Sequence, residues 1–132
     1  MHTKQEQDAI ENLIHSYSSA FNAAEIGSTV ALFTPDGILM PANAPSSQGR
    51  EQLTRSFDLL LKAFRIRISY TIDEIAVNGN YAYARTNSLV STHVNATGQD
   101  LSLRNKELFL LRKEQDNWKI SHYIFNNTST TG

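Results

Sequence analysis

In Ile66-Arg-Ile-Ser-Tyr-Thr-Ile-Asp-Glu-Ile-Ala-Val-Asn-Gly-Asn-Tyr-Ala82, Ile66, Ile68, Tyr70 and Ile72 alternate with polar neighbours, the period of a strand with one buried face. Ile75 and Val77 resume the pattern after an expected bulge at Asp73-Glu74. Asn78-Gly79 is the strongest hairpin signal in the chain, because both residues tolerate the positive φ that a tight hairpin turn needs. Working outward, a strand over about 81–94 places Ala82, Ala84, Thr86, Ser88 and Val90 on one side. Turns at Asn95–Gly98 and Glu114–Asn117 then bracket strands of about 101–113 and 118–126, and the polar tail 127–132 is expected to fray.

Upstream, the period changes. Ile10, Leu13, Ile14, Tyr17, Ala20, Phe21 and Ala24 recur at helical spacing, which predicts an amphipathic helix over 4–25. Gly27 and Ser28 break it, and a short second helix is expected over 29–33. Thr34-Pro-Asp-Gly37 reads as a turn, Ile38–Met40 as a short strand stopped by Pro41, and the stretch to Gln48 as a loop. Gly49 opens a third helix carrying Leu53, Phe57, Leu60, Leu61 and Phe64 on one face. Helices followed by a long antiparallel meander make an α+β fold, expected as a single domain over 1–132.

Composition narrows the function classes. A net charge of −1 gives no positive field for nucleic acid. The absence of cysteine excludes disulfides and thiolate metal sites. No apolar run approaches the roughly 20 residues that span a bilayer. The first residues are polar and lack a secretory signal, so the expectation is a cytoplasmic protein with no membrane partner. His2, His15, His93 and His122 are scattered without ligand spacing, so no metal is expected. No Gly-rich phosphate loop or dinucleotide fingerprint is present, and no cofactor is called for.

The chain resembles the nuclear transport factor 2-like superfamily in Tyr17-Ser-Ser-Ala-Phe-Asn22, Ala31-Leu-Phe-Thr-Pro-Asp-Gly37, the Gly49 helix start, Val77-Asn-Gly-Asn-Tyr-Ala82 and Trp118-Lys-Ile-Ser-His-Tyr-Ile-Phe-Asn126. These span nearly the whole chain in the family's order. Within its SnoaL-like members, Glu107-Leu-Phe-Leu-Leu-Arg112 followed by 118–126 is most similar to the SgcJ/EcaC-type branch. The resemblance implies a cone, or cystatin-like α+β roll, with the N-terminal helices in the concave face of a curved, mostly antiparallel sheet. It does not imply one reaction. Steroid-type isomerases of this fold use an aspartate before a proline as base, with a tyrosine and a strand carboxylic acid as oxyanion hole. Tyr17 matches the tyrosine, but the base position is Met40 and the second acid position Phe109, so that isomerase reaction is not expected.

With the family's orientation, Trp118, Ile120, His122, Ile124 and Asn126 share an inward face of the last strand, and Glu107, Phe109 and Leu111 that of the strand before. The 114–117 turn then sets Glu107 opposite or diagonal to His122. Such a carboxylate–imidazole pair could run general acid–base chemistry, or simply satisfy two buried polar groups. Tyr17 could donate to a ligand carbonyl or act as core, and Asn126 could donate or cap the strand. The remaining walls are expected from Ile14, Phe21, Phe33, Met40, Phe57, Leu61 and Tyr70, beside Phe109. A pocket so lined suits a small apolar ligand, aromatic or polyketide-like. If the protein is an enzyme, the chemistry is cofactor-independent acid–base catalysis by Glu107, His122 and Tyr17. The other reading is a non-catalytic homodimeric module whose pocket is only core. Relatives usually pair as two-fold dimers sheet to sheet, which would place Lys119, Tyr123, Phe125 and Arg85 at the interface.

Overall fold

The computed structural model describes residues 3–131; His2, expected in a loose terminus, and Gly132 lie outside them. The first helix, α1 (Thr3–Asn22), buries Ile10, Leu13, Ile14, Tyr17, Ala20 and Phe21 as one stripe. It ends before residue 25 because Ala24 turns left-handed at φ 57°. There the Ala24 N–H donates to the Phe21 carbonyl and the Glu25 N–H to that of Ala20, both at 2.9 Å. That bonding satisfies the last helical carbonyls without a glycine. The second helix, α2 (Ile26–Val30), accordingly starts earlier than the spacing predicts, and 31–32 lead straight into β1 (Phe33–Met40). Gly37 lies in a bulge of β1, folded over Phe33: a Cβ there would stand 2.9 Å from Phe33 side-chain carbons.

After the two-residue strand β2 (Ser47–Gln48) comes α3 (Gly49–Ala63), which buries Leu53 and Phe57. Four long strands follow: β3 (Phe64–Asn78), β4 (Tyr81–Val94), β5 (Asp100–Glu114) and β6 (Asn117–Thr131). The predicted bulge is present, with the β3–β4 register shifting between Ile72 and Glu74. Asn78 pairs with Tyr81 around Gly79 at φ 63°. Where fraying was expected, the backbone of β6 stays paired to β5 as far as Thr131 opposite Ser102.

The six strands form a curved, unclosed sheet in the order β2-β1-β6-β5-β4-β3, antiparallel except where β1 runs parallel to β6. The three helices pack against it. Asn22 ties α1 to β3 by donating to the Ile68 carbonyl at 3.0 Å and accepting the Ile68 N–H at 2.8 Å. The core joins both halves of the chain: Ile10, Ile14 and Phe57 from the helices meet Phe33, Ala84, Phe109, Leu111 and Ile120 from the sheet. No helix among the described residues is long and apolar enough to cross a membrane.

Candidate functional site

The decisive local feature is a bulge in β6. Leu111 pairs with Ile120 and Leu110 with His122, leaving Ser121 as the extra residue. The Ser121 hydroxyl donates to the Leu110 carbonyl at 3.0 Å, which holds the extra residue against β5. Because side chains alternate with period two, one inserted residue reverses every side chain beyond it. Trp118 and Ile120 face inward as expected, but from there on the inward residues are Tyr123, Phe125 and Asn127.

Several expectations are thereby corrected. Glu107 faces inward, but opposite Phe125 and not His122. His122, Ile124 and Asn126 turn to the outer side, where the His122 Nδ1 lies 3.1 Å from the Ser121 hydroxyl. Tyr123 and Phe125 leave the expected dimer face for the interior, where Tyr123 is only 3% exposed. Met40, alongside Ile124 on the parallel strand, also turns away, and Leu39 takes its place beside Tyr123.

Between the helices and the concave face of the sheet lies a cavity of about 590 Å³. That volume falls in the range typical of ligand pockets, about 300–1,000 Å³. Its walls are mainly apolar: Phe21, Phe57, Leu60, Ile66, Ile68, Val90, Leu101, Leu103 and Phe125. Of the residues expected to line it, Tyr17, Phe21, Phe57 and Tyr70 do. Ile14, Phe33 and Phe109 are fully buried in the core instead, and Leu61 packs against that core outside the lining.

Polar groups gather at the inner end. The Tyr70 and Tyr123 hydroxyls are hydrogen-bonded to each other. The Tyr17 ring packs edge-on to Tyr123 at 5.3 Å between centroids, and its hydroxyl makes no hydrogen bond among the described residues. Burial above all, with the Glu107 charge adding to it, pushes all three phenols above their ordinary range, so each keeps its proton. Neighbouring tyrosines push Tyr70 further up, while the hydrogen bond from Tyr70 pulls Tyr123 partly back. The tyrosines Tyr70 and Tyr123 and the amide Asn105 were missed as a polar set. The one available signal was the change of phase in the apolar residues, from 118 and 120 to 123 and 125.

Glu107 is the next inward residue beyond Asn105 on β5, 4% exposed and outside the cavity lining. Two hydroxyls hold its carboxylate: Thr86 donates to Oε1 at 2.7 Å and Ser88 to Oε2 at 2.5 Å. Burial raises its pKa, the two hydroxyls pull it down, and the Asp73 charge adds a smaller push upward. The net direction is up, toward a carboxyl that takes a proton more readily than a solvated one. Among the described residues, no three histidine, aspartate or glutamate side chains stand together as a metal site.

The profile of the SnoaL-like domain matches residues 10–125, from the first buried residue of α1 to the last aromatic of the cavity wall. The chain belongs to the SnoaL-like family, within the nuclear transport factor 2-like superfamily. Among curated proteins none matches. Solved structures agree on the fold. A ketosteroid isomerase-like protein from Erwinia carotovora atroseptica is 28% identical, with a TM-score of 0.87 over 92% of this chain and 95% of that one. A hexachlorocyclohexane dehydrochlorinase superposes at 0.89 with 12% identity, covering 98% of this chain and 89% of that one. A Caulobacter vibrioides protein with a cystatin-like fold gives 0.81 at 20% identity, covering 93% and 89%. The last two likenesses are of fold alone. The SnoaL-like cavity of this chain therefore has to be read from its own residues.

Proposed function

We propose that this SnoaL-like protein binds a small, flat, largely apolar molecule, aromatic or polyketide-like, in the cavity between helices and sheet. The supporting observation is the cavity itself, about 590 Å³ of mainly apolar wall with a polar end formed by Tyr17, Tyr70, Tyr123 and Asn105. If the protein turns its ligand over, the chemistry is cofactor-independent acid–base catalysis. Tyr17 then donates to a ligand oxygen, and Glu107 sets the charge behind the tyrosines. His122 has no place in that set, since it faces outward. The outward Met40 carries no proton acceptor at the base position of steroid-type isomerases, so another reaction is favoured. Within the family we place the chain nearest the SgcJ/EcaC-type branch, on Glu107–Arg112 and the strand from Trp118.

The second reading is a non-catalytic homodimeric module that pairs through the outer sheet face. What favours it is a set of apolar groups on the outward side of β4, with Tyr81 65% and Leu89 53% exposed beside Arg85. Native mass spectrometry of freshly purified protein, compared with denaturing conditions, separates the readings. A releasable small molecule supports the first. A dimer that stays empty after exposure to aromatic compounds would overturn it in favour of the second.

A further inference from the structure

Alternation along the strands sorts the charges of this chain. On β3 the inward residues Ile66, Ile68 and Tyr70 line the cavity, and Arg65 and Arg67 stand exposed on the opposite side. On β5 Leu103 and Asn105 face in, while Arg104 and Lys106 face out. As a result, none of the described residues lining the cavity is an aspartate, glutamate, lysine, arginine or histidine. What field remains is negative. Glu107 is the next inward residue beyond Asn105, and its charge is felt by Tyr17, Tyr70 and Tyr123. The groups that face it are Thr86 and Ser88 from β4 and Phe125 from β6, and none of them is basic. The helix ends at the cavity have the same sign. The first helix closes at Asn22, one residue past the lining Phe21, and α3 closes at Ala63, between the lining Leu60 and Phe64. A helix C-terminus carries about half a negative charge.

We infer that the cavity rejects anions, so that its ligand carries no free carboxylate, sulfonate or phosphate. This rests on the proposal that the cavity takes a small apolar molecule. It adds the class: a phenol, ketone, ester or lactone in place of a free acid or a phosphorylated compound. An anion entering here gives up its hydration and meets no cation, and that desolvation is the main cost. The tyrosines offer hydroxyl donors to a neutral carbonyl oxygen, but they bring no positive charge to balance a carboxylate.

The test sets methyl 2-naphthoate against 2-naphthoic acid, the same ring with its carboxyl masked or free. Each is titrated calorimetrically into the wild-type protein in competition with 2-naphthol, which restricts the reading to the shared site. Between about pH 5 and about pH 7 the ester should hold its affinity within about twofold, since nothing on it ionises. The acid, whose carboxyl ionises near about pH 4, should enter only as its protonated fraction and weaken about tenfold per pH unit. At neutral pH the ester should then be favoured by at least about a hundredfold. An acid affinity that stays level across the series, or that comes within about tenfold of the ester at neutral pH, would overturn the inference while leaving the cavity reading in place. If neither 2-naphthol nor the ester binds, the cavity reading falls and this inference with it.

Discussion

Glu107 stands opposite Phe125 across the β5–β6 ladder, so the buried carboxylate has an aromatic ring as its cross-strand neighbour and no basic group. Its partners are two neutral hydroxyls, from Thr86 and Ser88 on β4. A carboxylate buried without a cation is destabilised in its charged form, and the hydroxyl bonds offset only part of that cost.

The sign of the pH effect follows. Glu107 has a raised folded-state pKa, so its stabilising contribution is fully present below the unfolded glutamate value of about 4.3. It is lost as pH rises through the folded pKa. Glu107→Gln stays neutral throughout. Chemical denaturation at a series of pH values should therefore show the wild type losing ground to Glu107→Gln as pH rises above about 4, by about 1.4 kcal/mol per unit of upward displacement. A difference that is flat in pH would refute the buried, cation-free setting.

The Tyr70 and Tyr123 hydroxyls satisfy each other, so removing one strands the other. Tyr70→Phe and Tyr123→Phe should each cost about 1–3 kcal/mol, while the double variant should cost clearly less than their sum. Additive losses in a double-mutant cycle would show that the hydroxyls have other partners.

Ser121 is the extra residue whose hydroxyl bonds the Leu110 carbonyl. Ser121→Ala should lose about 1 kcal/mol and keep the fold. Excising residue 121 should keep a cooperative melt, because His122 then follows Ile120 in plain alternation and Tyr123 and Phe125 stay inward opposite Phe109 and Glu107. Loss of the cooperative melt in the deletion variant would contradict the bulge.

His122 pairs with Leu110, between the inward Phe109 and Leu111, and so lies on the outer side. His122→Ala should change stability by less than about 1 kcal/mol and leave 2-naphthol affinity unchanged. Loss of binding in calorimetry would return the histidine to the site.

Asn22 holds both backbone groups of Ile68. Asn22→Ala should cost about 1–3 kcal/mol and speed exchange of the Ile68 amide hydrogen, read by NMR. An unchanged exchange rate would mean that the strand is held by its ladder alone.

Much of the frame was legible in the chain. The change from helical spacing up to Phe64 to alternation from Ile66, with Asn78-Gly79 and Gly98 as turn residues, determined the helices, the meander and most strand limits. Those signals are local: a period, a glycine or a turn pair acts on its own neighbours, whatever the rest of the chain does. The inward facing of Ala84, Thr86 and Ser88 on β4, and of Glu107 and Phe109 on β5, was legible for the same reason. The composition of the site was not. Ile120, His122 and Ile124 alternate without a break, so nothing in that spacing alone announces an extra residue at Ser121. The choice between that phase and the one set by Tyr123 and Phe125 is made by packing. In the fold, Tyr123 finds Tyr70 from β3, Tyr17 from α1 and the stacked ring of Phe109, its neighbour across the ladder, at 4.3 Å. An asparagine falls inward in either phase, so the choice is between the rings of Tyr123 and Phe125 and the side chains of His122 and Ile124, and the two rings bury more apolar area. Tyr70 and Tyr17 lie 53 and 106 residues from Tyr123 in the chain, and only tertiary structure brings them to it.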